Sequence, residues 1–125
     1  MVTAAAAAAA EVDRTLAALA DPARRAIVEL IGHGPRRPSD VADRLALTRP
    51  ALSRHLRVLR QAGLIDERIA ADDARGRIVE LRRERFAGLR TWLDEVEGFW
   101  SDQLAAFKAH AERGAGRAVR PRSKR

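Results

Sequence analysis

Cysteine is absent from the 125 residues of this chain. That excludes a disulfide switch and any thiolate metal site, and it is compatible with a reducing cytoplasm. The three histidines, His33, His55 and His110, are scattered and form no ligand cluster, so neither metal nor cofactor is expected. A Gly-rich phosphate loop is also missing, and Ser39, Ser53, Ser101 and Ser123 lack a nucleophile-elbow setting. The acids mostly alternate with arginines along helical stretches, so an enzyme is not expected. Long hydrophobic runs are missing as well. The alanine run Ala4 to Ala10 has no basic region before it and is too short to span a bilayer, which reads as neither signal peptide nor membrane helix. No internal repeat suggests a solenoid. A soluble, cytoplasmic, single-domain chain is expected, small enough that dimerisation would help bury its core.

Acid is missing from two further places, and there its absence is informative. From Arg113 to Arg125 there are six basic residues and none acidic, whereas the chain before them holds eighteen basic and seventeen acidic residues. Most of the +7 net charge is therefore a tail, and with Gly114, Gly116 and Pro121 that tail (113–125) reads as disordered. A mobile basic tail adds salt-sensitive attraction to DNA without reading sequence. The second acid-free stretch runs from Arg44 to Ile65 and contains five arginines.

Within that stretch, Thr48 to Gly63 has the pattern of one amphipathic helix. Leu52, Leu56 and Leu59 recur at i, i+4 and i+7 and form a stripe to dock on a core, while Pro50, Ser53, Arg54, Arg57 and Gln61 fall on the far side. Thr48 is suited to the N-cap, Pro50 to the first turn and Gly63 to the residue past the C-cap, which predicts a helix over roughly Arg49 to Ala62. Guanidinium groups on its outer face suit a DNA groove, where they meet phosphates or fork onto guanine O6 and N7. A solvated surface helix would show the same amphipathicity, so the neighbouring segments have to decide.

Upstream, Asp21-Pro22 opens a helix with buried Ile27, Val28, Leu30 and Ile31, ended by Gly32-His33-Gly34-Pro35. A short helix, Pro38 to Leu45, follows and is separated from Thr48 only by Ala46 and Leu47. Two short helices joined so tightly, the second basic, form a helix-turn-helix pattern. Downstream, Leu64 to Ile69 and Arg77 to Leu81 are β-branched runs around an Asp-Asp and Gly turn, which predicts a hairpin. A hairpin after a recognition helix is a wing. Arg75 and Arg77 near its tip could reach phosphate, whereas Asp72 and Asp73 weigh against close contact there.

These segments resemble the ArsR (arsenical-resistance regulator) family of dimeric winged helix-turn-helix repressors. The resemblance covers roughly Glu11 to Ala111. It rests on Leu19-Ala20-Asp21-Pro22-Ala23-Arg24-Arg25, on Ser53-Arg54-His55-Leu56-Arg57-Val58-Leu59 and on Ala62-Gly63-Leu64-Ile65. It implies a mainly α fold with a small β-hairpin, four helices before the hairpin and one after it, dimerising through the first and last helices. It also implies a homodimer on an operator near its own promoter, released by a signal. Thr48, Arg49, Ser53, Arg54 and His55 match positions that contact DNA in that family. The metal sites of the family are not matched: Arg37 to Ala42 carries no ligand cluster, and Asp94, Glu97, Asp102, His110 and Glu112 do not have the zinc spacing.

The DNA-binding set read from the chain is thus Thr48, Arg49, Pro50, Ser53, Arg54, His55, Arg57, Arg75 and Arg77, with Arg49 the candidate for guanine readout. Arg57 and Arg60 are candidates for phosphate contact or for solvated charge. His55 lies about 60 degrees from Leu52 on the helical wheel, between the buried and the outer face. It is either a half-buried structural histidine or a phosphate contact from the helix edge.

All five aromatics lie between Phe86 and Phe107. Leu89, Leu93, Val96, Trp100, Leu104 and Phe107 recur at helical spacing, with Trp92 and Phe99 widening the stripe. This predicts a last helix over about 84–111, more apolar than a body of its size needs. With Val12, Leu16 and Leu19 of a first helix over Glu11 to Leu19, that surplus is assigned to a dimer interface. The alternative use of Trp92, Phe99 and Trp100 is a pocket for a small apolar ligand. Residues 1–10 are read as a flexible Ala-rich lead and 11–112 as the winged domain. The expected function is sequence-specific regulation of transcription, with double-stranded DNA carrying an imperfect palindrome as partner. A weakly specific nucleoid protein and a winged-helix module that binds protein remain alternatives.

Overall fold

The structure is a computed structural model that describes residues 3–70 and 76–118. The chain divides into two compact units, Met1–Arg90 and Thr91–Arg125. In the first, α1 (Ala4–Ala18), α2 (Pro22–Gly32), α3 (Pro38–Leu45) and α4 (Arg49–Gln61) precede β1 (Ile65–Ile69) and β2 (Arg77–Leu81). A 3-10 turn over Arg83–Phe86 leads into α5 (Ala87–Ala118), most of which belongs to the second unit. This is the mainly helical winged helix-turn-helix order expected from the sequence.

The helix ends are fixed locally. Asp21 caps α2 by accepting from the backbone N–H of Ala23 at 2.7 Å and of Arg24 at 3.2 Å, and Pro22 follows where no N–H is needed. The α3–α4 turn bends through Ala46, a non-glycine residue in the left-handed region (φ 55), and Leu47 N–H bonds back to Ala42 O at 2.9 Å. Thr48 Oγ1 accepts from Ala51 N–H at 3.2 Å and starts α4. The other end of α4 is a Schellman closure: Leu64 N–H reaches Leu59 O and Gly63 N–H reaches Arg60 O, both at 3.0 Å. That geometry needs the positive φ of 80 found at Gly63, which costs glycine nothing.

One core joins these elements. Ile27 and Ile31 from α2, Val41 and Ala42 from α3, and Leu52, Leu56 and Leu59 from α4 pack with Leu64, Ile65 and Val79 of the hairpin and Ala18 of α1. The strands are antiparallel, with Ile65 opposite Leu81 and Glu67 opposite Val79. A further bridge, absent from the sequence reading, pairs Arg36 with Val79 through N–H···O bonds of 3.0 and 2.7 Å. It ties the lead into α3 to the wing.

Some expectations are corrected. The alanine run, read as a flexible lead that would either fray or extend the first helix, forms the first turns of α1, because alanine has the highest helix propensity and Thr3 Oγ1 caps the end by accepting from Ala6 N–H at 3.0 Å. Val12, assigned to the dimer surface, is buried within its own chain. The last helix begins at Ala87 rather than 84, since the preceding residues take the 3-10 turn, and it runs on to Ala118, into the segment read as tail. Residues 119–125 and the turn residues Asp72, Asp73 and Arg75 lie outside the described residues.

Candidate nucleic-acid interface

The interface candidate is built on α4. Its inner stripe, Leu52, Leu56 and Leu59, is buried, which leaves Thr48, Arg49, Pro50, Ser53, Arg54, Arg57 and Gln61 exposed on the outer side. Among the described residues, Arg49, Arg54 and Arg57 pair with no acid, whereas arginines elsewhere in the first unit are largely engaged. Arg36 and Arg44 clasp Asp40 at 2.8 and 3.2 Å, Arg68 pairs with Glu80 at 3.3 Å, and Arg85 pairs with Glu11 at 3.1 Å. Among the described residues, three arginines without an acid partner therefore share the outer side of α4, a helix that carries no carboxylate.

The α2 N-terminus braces this helix. Arg24 Nε donates to Ala18 O at 2.6 Å and Arg25 Nη1 donates to Leu19 O at 2.8 Å, so two arginines cover the carbonyl end of α1. Arg24 Nη1 also lies 3.5 Å from Nδ1 of the half-buried His55. A guanidinium only donates, so Nδ1 is the accepting side of this contact. His55 thus belongs to a link between α4 and α2. The Asp21 carboxyl is held below its ordinary value, chiefly by the Arg24 backbone N–H, with that of Ala23 adding. The motif Asp21-Pro22-Ala23-Arg24-Arg25 is thereby accounted for: a cap for one helix, a cover for another and a brace for a third.

A cleft of about 230 Å³ opens between the start of α3, α4 and the wing, bordered by Ser39, Arg49, Ser53, Arg60, Glu67 and Arg77. Arg77 opens β2 at the turn end of the hairpin, where it pairs with Glu67, and Arg60 of α4 pairs with the same carboxylate. Arg60, considered from sequence as a phosphate contact or a solvated charge, is thus exposed but ion-paired. Gly76 packs on Arg37, where a Cβ would lie 2.6 Å from Nη1, so a side chain at this position would displace the guanidinium. The roles of Glu67, Arg24 and Arg37 were not read from the sequence. Two of them left a signal there: Arg24 within the Asp21-Pro22-Ala23-Arg24-Arg25 motif, and Glu67 as an acid at the middle of the Ile65-Glu67-Ile69 alternation.

The residues assigned to dimerisation are distributed between the two units. In the first, Leu16 is exposed, Leu19 is half-buried on the chain's own core, and Leu89 is half-buried. In the second, Trp92, Leu93, Phe99, Trp100 and Phe107 are exposed and Val96 is half-buried. Phe99 and Trp100 meet edge to face with centroids 6.5 Å apart. No helix among the described residues is long and apolar enough to cross a membrane, and no cluster of three or more metal-ligating side chains occurs among them.

A family described as a helix-turn-helix domain matches residues 19–68, which span α2 to β1. The chain is 42% identical over 95 residues to the HTH-type transcriptional regulator Rv2034 of Mycobacterium tuberculosis, covering 76% of this chain and 83% of that protein. It is 36% identical over 50 residues to the transcriptional repressor SdpR of Bacillus subtilis, covering 40% of this chain and 56% of that one. Among solved structures, an ArsR-like transcriptional regulator from Rhodococcus sp. RHA1 matches with a TM-score of 0.67 at 27% identity, over 82% of this chain and 93% of that chain. The chain belongs to the ArsR family of winged helix-turn-helix transcriptional regulators, here in a form without cysteine.

Proposed function

We propose that this regulator is a homodimeric repressor whose two α4 helices enter successive major grooves of an imperfect palindrome, with half-site centres about one turn, roughly 10–11 bp, apart. The observation that carries the reading is the outer face of α4, on which Arg49, Ser53, Arg54 and Arg57 stand exposed and, among the described residues, without acid partners. Arg49, in the first turn, is assigned guanine readout, Ser53 and Arg54 close contact, and Arg57 a phosphate. His55 is assigned the brace to Arg24, with Nε2–H offered to a phosphate at the helix edge.

Dimerisation is assigned to the apolar side chains of α5. Phe99 at 61% and Phe107 at 72% exposure are costly to leave in water on a soluble chain, and contiguous exposed apolar surface marks an interaction site. Repression follows from occlusion of a promoter, and the likeness to SdpR supports that sign of regulation. A signal such as a small apolar ligand would release the dimer by changing the separation of its two reading helices.

Selection of bound DNA from a random pool tests the reading. A palindrome bound by two copies of the chain is expected. Recovery of unrelated sequences would favour a nucleoid-coating protein, and failure to bind any duplex at low salt would favour a module that binds protein.

A further inference from the structure

Glu67 stands where the fold calls for an apolar residue. On β1 it shares a face with Ile65, which is 1% exposed, and its cross-strand neighbour is Val79, which is 0% exposed. Its own side chain is 13% exposed. A carboxylate that far out of water is costly unless it is paired, and an apolar side chain would serve stability as well or better. Glu67 is paired twice, and with two different elements: one oxygen accepts from Arg60 of α4, the other from Arg77 of β2. Both arginines border the cleft that also holds Arg49 and Ser53, the readers on α4.

The geometry points to Glu67 as a specificity-determining residue, one that withholds Arg60 and Arg77 from the DNA backbone and ties the wing to the reading helix. This rests on the DNA-binding reading above. Phosphate contacts strengthen binding to every sequence, whereas only base contacts discriminate. An acid that neutralises two cations beside the readers therefore lowers the affinity for random DNA. On the preferred sequence, the seated readers already supply the contacts. The carboxylate also fixes the angle between α4 and the hairpin, so that groove and wing contacts come in one register.

The test uses the full chain, a duplex recovered by selection and a scrambled duplex of the same length. Glu67→Gln keeps the shape but gives up the charge. It is expected to steepen the salt dependence on the scrambled duplex by about 0.9 for each arginine set free, a three- to twelvefold greater loss of affinity between 50 and 200 mM salt. The preference for the selected duplex is expected to fall. Asp66→Asn, next along the strand and paired with Arg82 on the opposite face, makes the same change in charge and is expected to do much less. Adding Arg60→Ala and Arg77→Ala to Glu67→Gln is expected to restore the native slope.

A second variant does not depend on the first one folding. Arg60→Ala alone is expected to leave the slope at its native value, whereas Arg57→Ala, one turn earlier on the same helix, is expected to lower it by about 0.9. Equal effects of Glu67→Gln and Asp66→Asn, or an Arg60→Ala slope as low as that of Arg57→Ala, would overturn the inference while the native chain still binds DNA. A native chain that shifts neither duplex at low salt would overturn the DNA-binding reading, and this inference with it.

Discussion

The outer face of α4 and the paired arginines of the wing use the same side chain for opposite ends. On α4, Arg49, Arg54 and Arg57 pair with no acid among the described residues, whereas Arg60 on the same helix is reached by Glu67 of β1. On the hairpin, Arg68 and Arg77 are each taken up by a glutamate, Glu80 and Glu67 respectively. The guanidinium itself is nearly invariant, charged in both places. What differs is the neighbouring carboxylate, so the location of acid, more than the location of arginine, defines where this protein can hold a polyanion.

The largest expected effect would remove both regions at once. Leu59 is fully buried where α4 meets the hairpin, and Leu59→Ala is expected to destabilise the fold by about 2–5 kcal/mol, measured by urea denaturation. A loss below about 1 kcal/mol would mean that α4 and the wing do not rest on a common core. Next, Arg49→Ala is expected to weaken binding to a selected duplex by about 1–3 kcal/mol and to relax preference at a single base pair. Equal losses on selected and scrambled DNA would reassign Arg49 to a phosphate.

Much of this was legible in the sequence because the signals are local. Thr48, Pro50 and Gly63 each act within a few residues of the helix end they define, and the leucine stripe needs only helical periodicity. The boundaries of α2, α3 and α4 follow from such signals almost to the residue. The brace from Arg24 to His55 spans 31 positions and the Arg36–Val79 bridge 43, so neither has a local pattern to betray it. Position on a helical wheel left His55 between two faces, and only its neighbour on α2 gives it a partner. Arg60 shows the same limit. Its place on the helix marks it as a cation near DNA, but its pairing with a carboxylate on β1 can be read only from the fold.

Gly63, the joint between the two regions, provides a smaller test. Its φ of 80 strains any residue with a Cβ, while the nearest atoms a Cβ would meet, in the Arg85 guanidinium, are at an ordinary 3.4 Å. Strain therefore dominates crowding, and Gly63→Ala is expected to cost about 1–2 kcal/mol by thermal or urea unfolding. No measurable cost would mean that the Schellman closure is not what sets the angle between α4 and β1. The comparison itself is tested most directly by Arg57→Ala beside Arg68→Ala. The first is expected to reduce the salt slope of DNA binding by about 0.9 and the second to leave it unchanged, since Arg68 is already held by Glu80. Equal slopes would show that pairing with acid does not decide which arginines reach the backbone.

The smallest effect concerns Asp21, an acid that serves the reading helix at one remove, by capping the turn from which Arg24 reaches His55. Its carboxyl titrates below its ordinary 3.8, chiefly because the Arg24 backbone N–H bonds to the charged form. A depressed folded value means that the ionised carboxylate contributes stability above the unfolded value, and that this contribution is lost as pH falls through the lower, folded one. Asparagine caps a helix nearly as well and does not titrate. Asp21→Asn is therefore expected to lower the melting temperature slightly at pH 7, with the gap to the native chain closing as pH drops below about 4. A gap that stays constant from pH 7 to pH 2.5 would mean that the cap works through its shape alone. Nothing would then tie the charge of Asp21 to the brace behind α4.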